Sequence, residues 1–212
     1  MKLKRFLVCF YLLLGISTPI LSQALFTNPN LVQPKLKGHY WNLTGHKIEC
    51  ELKIRISNYI GNGITFKVYK DGKKDGKLTT SDVTSVLYGR DSFVVVNKFM
   101  VTPIKKYSKD FSRVIEVGKI NLFEHSRKVK KTFYNGTNYI PTKEFEIVTT
   151  YLIKTDESEE YHGIYDLKQF EKIFLSMVSH NGELYKKFEE KKDSWESLLP
   201  MFVREFNEDP DS

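Results

Sequence analysis

The chain has 212 residues, of which 33 are Lys or Arg and 26 are Asp or Glu, and its formal net charge is +7. This length suits one domain, or one domain with a short appendage. The positive excess is small for such a length, so it is weak evidence for binding to nucleic acid, and no nucleic-acid partner is predicted.

The first 24 residues have the pattern of a cleavable secretory signal peptide. Lys2, Lys4 and Arg5 precede a short apolar stretch, and Ser22 and Ala24 follow it. Signal peptidase requires small side chains at these last two positions, so cleavage is predicted after Ala24. The alternative is an uncleaved membrane anchor, which is disfavoured because the apolar stretch is shorter than the about 20 residues of a membrane span.

The predicted mature chain of 188 residues is less basic than the full chain, because its formal charge falls from +7 to +4. It also loses Cys9, so Cys50 is its only cysteine and no intramolecular disulfide can form. An exported chain without disulfides depends on its core, for which 15 Phe and 12 Tyr supply apolar area. No later segment is long and apolar enough to span a membrane. The predicted location is periplasmic, outer-membrane-associated or secreted.

Alternation of apolar and polar residues predicts antiparallel strands over residues 38–156. The alternation is strictest in residues 46–56, where Ile48, Cys50 and Leu52 share one predicted face. A glycine-rich turn at 61–63 leads to a second strand at 64–70, and residues 71–77 are predicted to be a polar loop. Further strands are predicted at 91–99, 113–117, 119–123, 132–134 and 144–155.

The hydrophobic period changes from strand to helix after Tyr165. Asp166 is a predicted N-cap, with Gln169 at the spacing of a capping box. Asn181–Gly182 is predicted to end this helix, and a charged second helix is predicted over 183–192. A third begins near Ser194, where Pro200 marks either a kink or the first turn. The apolar face of the first helix comprises Leu167, Phe170, Ile173, Phe174, Met177 and Val178.

Strands followed by helices predict an α+β domain rather than a doubly wound sheet. The predicted domain spans residues 38–207, with a β part at 38–156 and two or three short helices at 166–207. The helices are short and need the sheet to bury their apolar faces, which favours one domain. Residues 25–37 are predicted to be a loosely ordered leader, and 208–212 a frayed tail.

Several short segments in this order resemble those of an uncharacterised family of exported β-rich proteins from Gram-negative bacteria. The segments are Gly45-His46-Lys47-Ile48, Ile64-Thr65-Phe66-Lys67, Leu78-Thr79-Thr80-Ser81-Asp82-Val83, Asp91-Ser92-Phe93 and Gly118-Lys119-Ile120-Asn121-Leu122-Phe123. The resemblance covers much of residues 38–207, and the family has glycine where this chain has Cys50. It implies an envelope location and a β-rich core, and it implies no activity.

Residues 71–82 superficially follow the spacing of a calcium-binding EF-hand loop. Asp71, Asp75 and Asp82 occupy loop positions 1, 5 and 12, and Gly76 occupies position 6. However, Lys73 places a cation where an oxygen ligand is needed, and aspartate is shorter than the usual final glutamate. A solvated connection is the favoured interpretation, and no metal or cofactor is predicted.

Histidine and cysteine patterns give no catalytic or metal site. His46 and Cys50 share a strand face but lie roughly 13 Å apart, too far to bind one ion without a bend. Cys50 takes an apolar position in the alternation, which predicts a buried, inert thiol. No recognisable nucleophile motif surrounds any of the five histidines, so no catalytic residue is predicted. They are His39, His46, His125, His162 and His180.

Two basic clusters have two interpretations each. Residues 127–131 and the pair Lys105–Lys106 could bind an anionic glycan or lipid headgroups. The favoured alternative is that lysines protect an edge strand from pairing with other chains. Residues 156–160 are predicted to be a solvated acidic loop.

The predicted function is non-enzymatic: binding, or an accessory role in the cell envelope. The expected partner is an envelope protein, or an anionic surface glycan or lipid. The alternatives are a secreted enzyme with a non-obvious active site and a purely structural envelope component. An enzyme predicts a concave pocket with a titratable group of shifted pKa, whereas binding predicts an exposed apolar or basic patch.

Overall fold

A computed structural model of the chain describes residues 33–56, 63–135 and 138–210, with the side chains of 131–143 excepted. The predicted signal peptide and most of the predicted leader lie outside these residues. In the described ranges the strands form one antiparallel sheet, in the order β10-β9-β8-β7-β6-β5-β1-β2-β3-β4. The strands are β1 Leu36–Asn42, β2 Lys47–Ile56, β3 Ile64–Lys70, β4 Lys73–Leu78, β5 Val83–Tyr88, β6 Asp91–Thr102, β7 Lys105–Glu116, β8 Ile120–Asn135, β9 Asn138–Thr155 and β10 His162–Ile164.

Helices follow the sheet, so the α+β prediction is confirmed, although strands dominate the fold. The helices are α1 Leu167–Gln169, a π-helix Phe170–Leu175, α2 Gly182–Glu190, a 3₁₀ turn Lys192–Ser194 and α3 Trp195–Glu208. None of these described helices has the length and apolar character needed to cross a bilayer.

Strand β4 corrects the prediction of a polar loop over residues 71–77. Asp71 and Gly72 have φ angles of 50° and 75°, and two successive positive values close a tight hairpin between β3 and β4. The Asp-Gly pair is the sequence signal for this turn. The loop prediction failed because β4 has little apolar character, and Leu78 is the residue it buries. The lysines of β4 lie at the edge of the sheet, where charge discourages pairing with other chains.

The sheet curls, so that strands from both of its ends turn back on its middle. Phe66 of β3 packs edge-on against Phe111 of β7, with ring centroids 5.2 Å apart. At the other end, Gly163 of β10 lies so close to β6 that an added Cβ would be 1.9 Å from the Met100 carbonyl oxygen. Glycine is therefore required at this crossing.

Gly63 marks the same kind of close approach between β3 and β7. Residues 61 and 62 of the predicted turn lie outside the described part of the chain, but Gly63 itself is buried. Its N–H donates to Asp110 Oδ2 at 2.8 Å, and an added Cβ would lie 2.5 Å from that oxygen. The glycine is needed here for space rather than for a turn with positive φ.

Buried side chains divide into three clusters. One lies inside the curl, takes side chains from β2–β7 and centres on Phe66, and a second joins β6–β9 around Phe99 and Phe123. The third joins the helices to the other face of β8–β10 and includes Leu122, Ile153, Phe170, Phe174, Phe188 and Phe202. The apolar face predicted for the first helix packs in this third cluster, as expected.

The helix boundaries confirm one predicted cap, exclude one of the two alternatives for Pro200 and add detail at Asn181 and Asn207. Asp166 Oδ1 accepts from Gln169 N at 2.7 Å, which confirms the N-cap. Asn181 caps the start of α2 by accepting from Leu184 N, rather than only ending the preceding helix. Pro200 lies inside α3, not in its first turn. Asn207 bonds through its amide to both N and O of Ile120, so the last turn of α3 is held to β8.

The N-terminal boundary of the sheet also differs from the prediction. β1 begins at Leu36, within the predicted leader, and the Tyr88 hydroxyl donates to the Pro34 carbonyl at 2.6 Å. Residues 36 and 37 therefore belong to the sheet, and Pro34 is hydrogen-bonded to it.

Candidate ligand-binding cleft

A cleft of about 800 Å³ lies where β10 folds against β6, beside the first helical turn. We call it the β6–β10 cleft. Its volume is in the range of sites that hold small ligands. The charged and aromatic residues that line it are Lys98, Lys106, Lys154, Glu159, Glu160, Tyr161, His162 and Tyr165.

Lys98 reaches the cleft because β6 changes face at Asn97–Lys98. Val96 and Phe99 are both buried in the second cluster although they are three residues apart, where a regular strand would repeat every two. Lys98 has a φ of 52°, in the left-handed region. A residue with a Cβ pays about 1–2 kcal/mol there, and such local strain clusters at functional sites.

Replacing Lys98 by glycine is expected to raise the free energy of unfolding, because glycine adopts positive φ without strain. The relief is offset in part by the greater freedom of glycine in the unfolded chain, leaving a gain of about 0.5–1 kcal/mol. Lys109→Gly is the matched control, since Lys109 is an exposed lysine opposite Asn97 and is not among the residues with positive φ. It should destabilise. Urea unfolding of both variants checks this, and a Lys98→Gly midpoint below that of the wild type contradicts it.

Tyr161 forms an aromatic wall of the cleft. Its ring packs edge-on against Phe123 with centroids 5.5 Å apart, and Lys154 Nζ lies 5.6 Å from the Tyr161 ring centroid. Burial, and then the negative charge of Glu159, raise the pKa of the Tyr161 hydroxyl. The hydroxyl is therefore neutral at physiological pH and can donate a hydrogen bond.

The helical side of the cleft is also irregular. Gln169 and Ile173 line it, and Ile173 lies in the π-helix, a rare conformation that recurs at functional sites. Phe170 and Phe174 of the same turn are buried in the third cluster. The position of the cleft wall is thus set by the packing of the helix on the sheet.

The acidic loop contributes to the cleft while its charged side chains stay exposed, as expected for a solvated loop. Asp156 Oδ1 accepts from Asn121 Nδ2 at 3.0 Å, which holds the start of the loop against β8. Glu159 and Glu160 then line the cleft. Three lysines and two glutamates line the cleft, so its charged side chains have a positive excess.

The two basic clusters have different environments. The pairing of β7 with β8 extends as far as Glu124 of β8. Residues 127–130 lie beyond that point, in a part of β8 that pairs with β9. Lys128 Nζ lies 4.7 Å from the ring of Phe145 on β9. These features favour the edge-strand interpretation for that cluster. Lys106, by contrast, lines the cleft.

The structure does not bring His39, His46 and Cys50 together. His39 packs edge-on against Trp41 at 4.4 Å, and His46 Nδ1 lies 2.8 Å from Thr44 Oγ1. Cys50 is half-buried rather than buried, and burial and the charge of Glu49 raise the pKa of its thiol, which lowers its reactivity. Across the described residues, no group of three or more His, Cys, Asp and Glu is placed to hold a metal.

His125 lies in the core beside an unpredicted partner, Asp110. His125 Nε2 is 2.9 Å from Asp110 Oδ2, and a carboxylate can only accept, so this nitrogen is the donor. The rings of Phe99 and Tyr107 pack edge-on against the imidazole at 4.9 and 4.8 Å. His125 is fully buried, which gives the pair a structural role in closing the curl.

Of the cleft residues, Lys106, Glu159, Glu160 and His162 belong to features singled out from the sequence. Lys98, Lys154, Tyr161 and Tyr165 do not. The available signal for Lys98 is the three-residue step from Val96 to Phe99, which breaks the strand alternation. No comparable signal marks the other three, because they meet only through the fold.

Comparison of the chain with protein-family models, with curated proteins and with solved structures found no match. The resemblance to exported proteins of Gram-negative bacteria therefore stays a prediction from the sequence.

Proposed function

We propose that the protein is a non-enzymatic binding protein of the cell envelope, and that its β6–β10 cleft holds an anionic glycan. The observation that supports this most directly is the convergence of lysines from three strands, Lys98, Lys106 and Lys154, in one cleft of about 800 Å³. Clustered cations in a concave site raise the local concentration of anionic ligands.

The other lining residues favour a glycan over a lipid headgroup. Tyr161 and Tyr165 offer aromatic faces for the C–H surfaces of sugar rings, and their hydroxyls can bond to ring substituents. Asn97, Ser108 and Gln169 add polar side chains that can donate or accept. Glu159 and Glu160 are acceptors for sugar hydroxyls. A lipid headgroup would use the cations and leave most of these groups without a role.

The envelope location rests on the first 24 residues, whose charge and apolar pattern are those of a signal peptide. Expression in a Gram-negative host is expected to yield a chain that starts at Leu25. The intact mass of the purified protein measures this directly. A mass that includes Met1–Ala24 would contradict the cleavage and leave the protein anchored or unexported.

Replacing the three cleft lysines is expected to weaken glycan binding. The variant Lys98→Gln/Lys106→Gln/Lys154→Gln removes three cations, and each contact of this kind contributes about 0.2–1 kcal/mol, so Kd should rise by about 3- to 150-fold. The probe is an oligomer of galacturonic acid, measured by titration calorimetry. Binding should also weaken with added salt, because exposed charges are screened.

The matched control is Lys67→Gln/Lys74→Gln/Lys77→Gln, which has the same net charge but changes β3 and β4 at the far end of the sheet order. It should bind the oligomer as the wild type does. An equal loss in both triple variants would show non-specific attraction and overturn the proposal. Binding to phosphatidylglycerol vesicles without binding to the oligomer would identify a lipid partner. Shortening of the oligomer would identify a glycan-cleaving enzyme.

A further inference from the structure

A second cavity lies between the sheet and helix α3, and its lining shares no residue with the β6–β10 cleft. Its volume is about 330 Å³, at the lower end of the range of ligand pockets. The sheet supplies Asp91, Arg113, Glu124 and Tyr151, and α3 supplies Ser197 and Arg204 among others. This size suits a small metabolite better than a chain of sugar rings.

Buried charges form the sheet side of this cavity. Arg113 and Glu124 are only 5% and 8% exposed, and Arg113 Nη2 donates to Glu124 Oε2 at 2.9 Å. Arg113 Nη1 also lies 3.5 Å from Asp91 Oδ1. A buried ion pair adds little net stability, because desolvation offsets the attraction. Convergent polar groups in a concavity are instead typical of a site that recognises a ligand.

The helix side of the cavity is polar as well. Arg204 donates through Nε to Glu116 Oε1 at 2.8 Å, which positions its guanidinium beside the sheet. Pro200 lines the cavity from inside α3 and cannot donate to the carbonyl of Glu196, as other residues at this position would. Ser197 adds a hydroxyl one turn earlier.

Tyr151 contributes a neutral hydroxyl. Burial, and then the charge of Glu124, raise the pKa of Tyr151 to about 12. It therefore remains a donor at physiological pH and does not act as a base. Its ring packs edge-on near Trp195, with centroids 6.5 Å apart.

The lining carries both signs of charge. Arg113 and Arg204 are cations, Asp91 and Glu124 are anions, and Glu116 contacts Arg204 from outside the lining. A ligand with a single charge would be attracted by one sign and repelled by the other, whereas a ligand with both charges can interact favourably with each. We propose that the cavity binds a small zwitterion, a free α-amino acid, with its carboxylate towards the two arginines and its ammonium towards the two carboxylates.

The test is thermal unfolding of the purified protein with glycine, L-leucine, L-phenylalanine, L-glutamine or L-arginine at millimolar concentration. A ligand that binds the native state raises the unfolding midpoint, so at least one amino acid should raise it. Acetate and ethylamine, each alone, carry one of the two charges and should not. If no amino acid raises the midpoint, or if either single-charge compound raises it equally, the proposal is overturned.

Two variants locate the binding. Arg204→Gln lies at the exposed rim and leaves the buried pair intact, and it should weaken binding of the amino acid at least tenfold. Lys187→Gln is its control, because Lys187 pairs with Glu205 outside the cavity lining. Tyr151→Phe should also weaken binding, whereas Tyr161→Phe in the separate cleft should not. Unchanged binding in both Arg204→Gln and Tyr151→Phe would overturn the assignment to this cavity, whatever the glycan experiments show.

Discussion

Asp110→Ala is expected to lower the free energy of unfolding by about 3–5 kcal/mol, because it leaves buried donors without an acceptor. Asp110 Oδ2 accepts from both Gly63 N and His125 Nε2, and Oδ1 accepts from Phe111 N at 2.8 Å. These bonds join the start of β3 to β7 and β8. The variant therefore weakens the closure of the curled sheet as well as one local contact.

Urea unfolding followed by circular dichroism measures the loss. Asp110→Asn keeps one amide oxygen as an acceptor and should fall between the wild type and Asp110→Ala. Asp75→Ala removes an exposed carboxylate from β4 and should change stability by less than about 0.5 kcal/mol. One unpaired buried donor costs about 1 kcal/mol or more. If the free energy of unfolding of Asp110→Ala lies within about 1 kcal/mol of the wild-type value, closure of the sheet does not depend on this carboxylate.

Phe202→Ala is expected to cost about 3–5 kcal/mol, the usual range for removing a buried aromatic ring. Phe202 is fully buried, and its ring lies 4.5 Å from Phe188 and 6.3 Å from Phe174, between centroids. The same cluster includes Ile120 and Leu122 of the sheet. Loss of this ring therefore loosens the helices from the sheet.

The unfolding of this variant also tests the prediction of a single domain. Trp195 in α3 reports on the helices through fluorescence once Trp41 is replaced by Phe, and far-ultraviolet circular dichroism follows the sheet. Coincident transitions are expected, because the helices bury their apolar faces against the sheet. Met201→Ala, at a neighbouring position that is 38% exposed, should cost about 1 kcal/mol or less. Separate transitions, with the helices unfolding first, would contradict the single domain.

Local sequence patterns were sufficient to predict the position and the buried face of elements that have a regular apolar period. Alternation predicted β2 and β3 closely, since each presents one face to the first cluster. The apolar face from Leu167 to Val178 was predicted for the same reason, because a helix buries one stripe regardless of what covers it. The Asp166 cap was predicted from its residue type and its spacing from Gln169. β4 was missed because an edge strand needs little apolar character.

The curl and both candidate sites were decided by tertiary structure alone. The Gly63–Asp110 bond joins residues 47 positions apart, and no local pattern distinguishes that glycine from a turn residue. The lysines of the cleft come from β6, β7 and β9, and the cavity under α3 joins residues from Asp91 to Arg204. The sequence by itself determined the elements with a strong apolar period, such as β2, β3 and the helical face from Leu167 to Val178, because periodicity depends on near neighbours. Convergence of side chains depends on how the sheet folds back on itself, which only the packed structure decides.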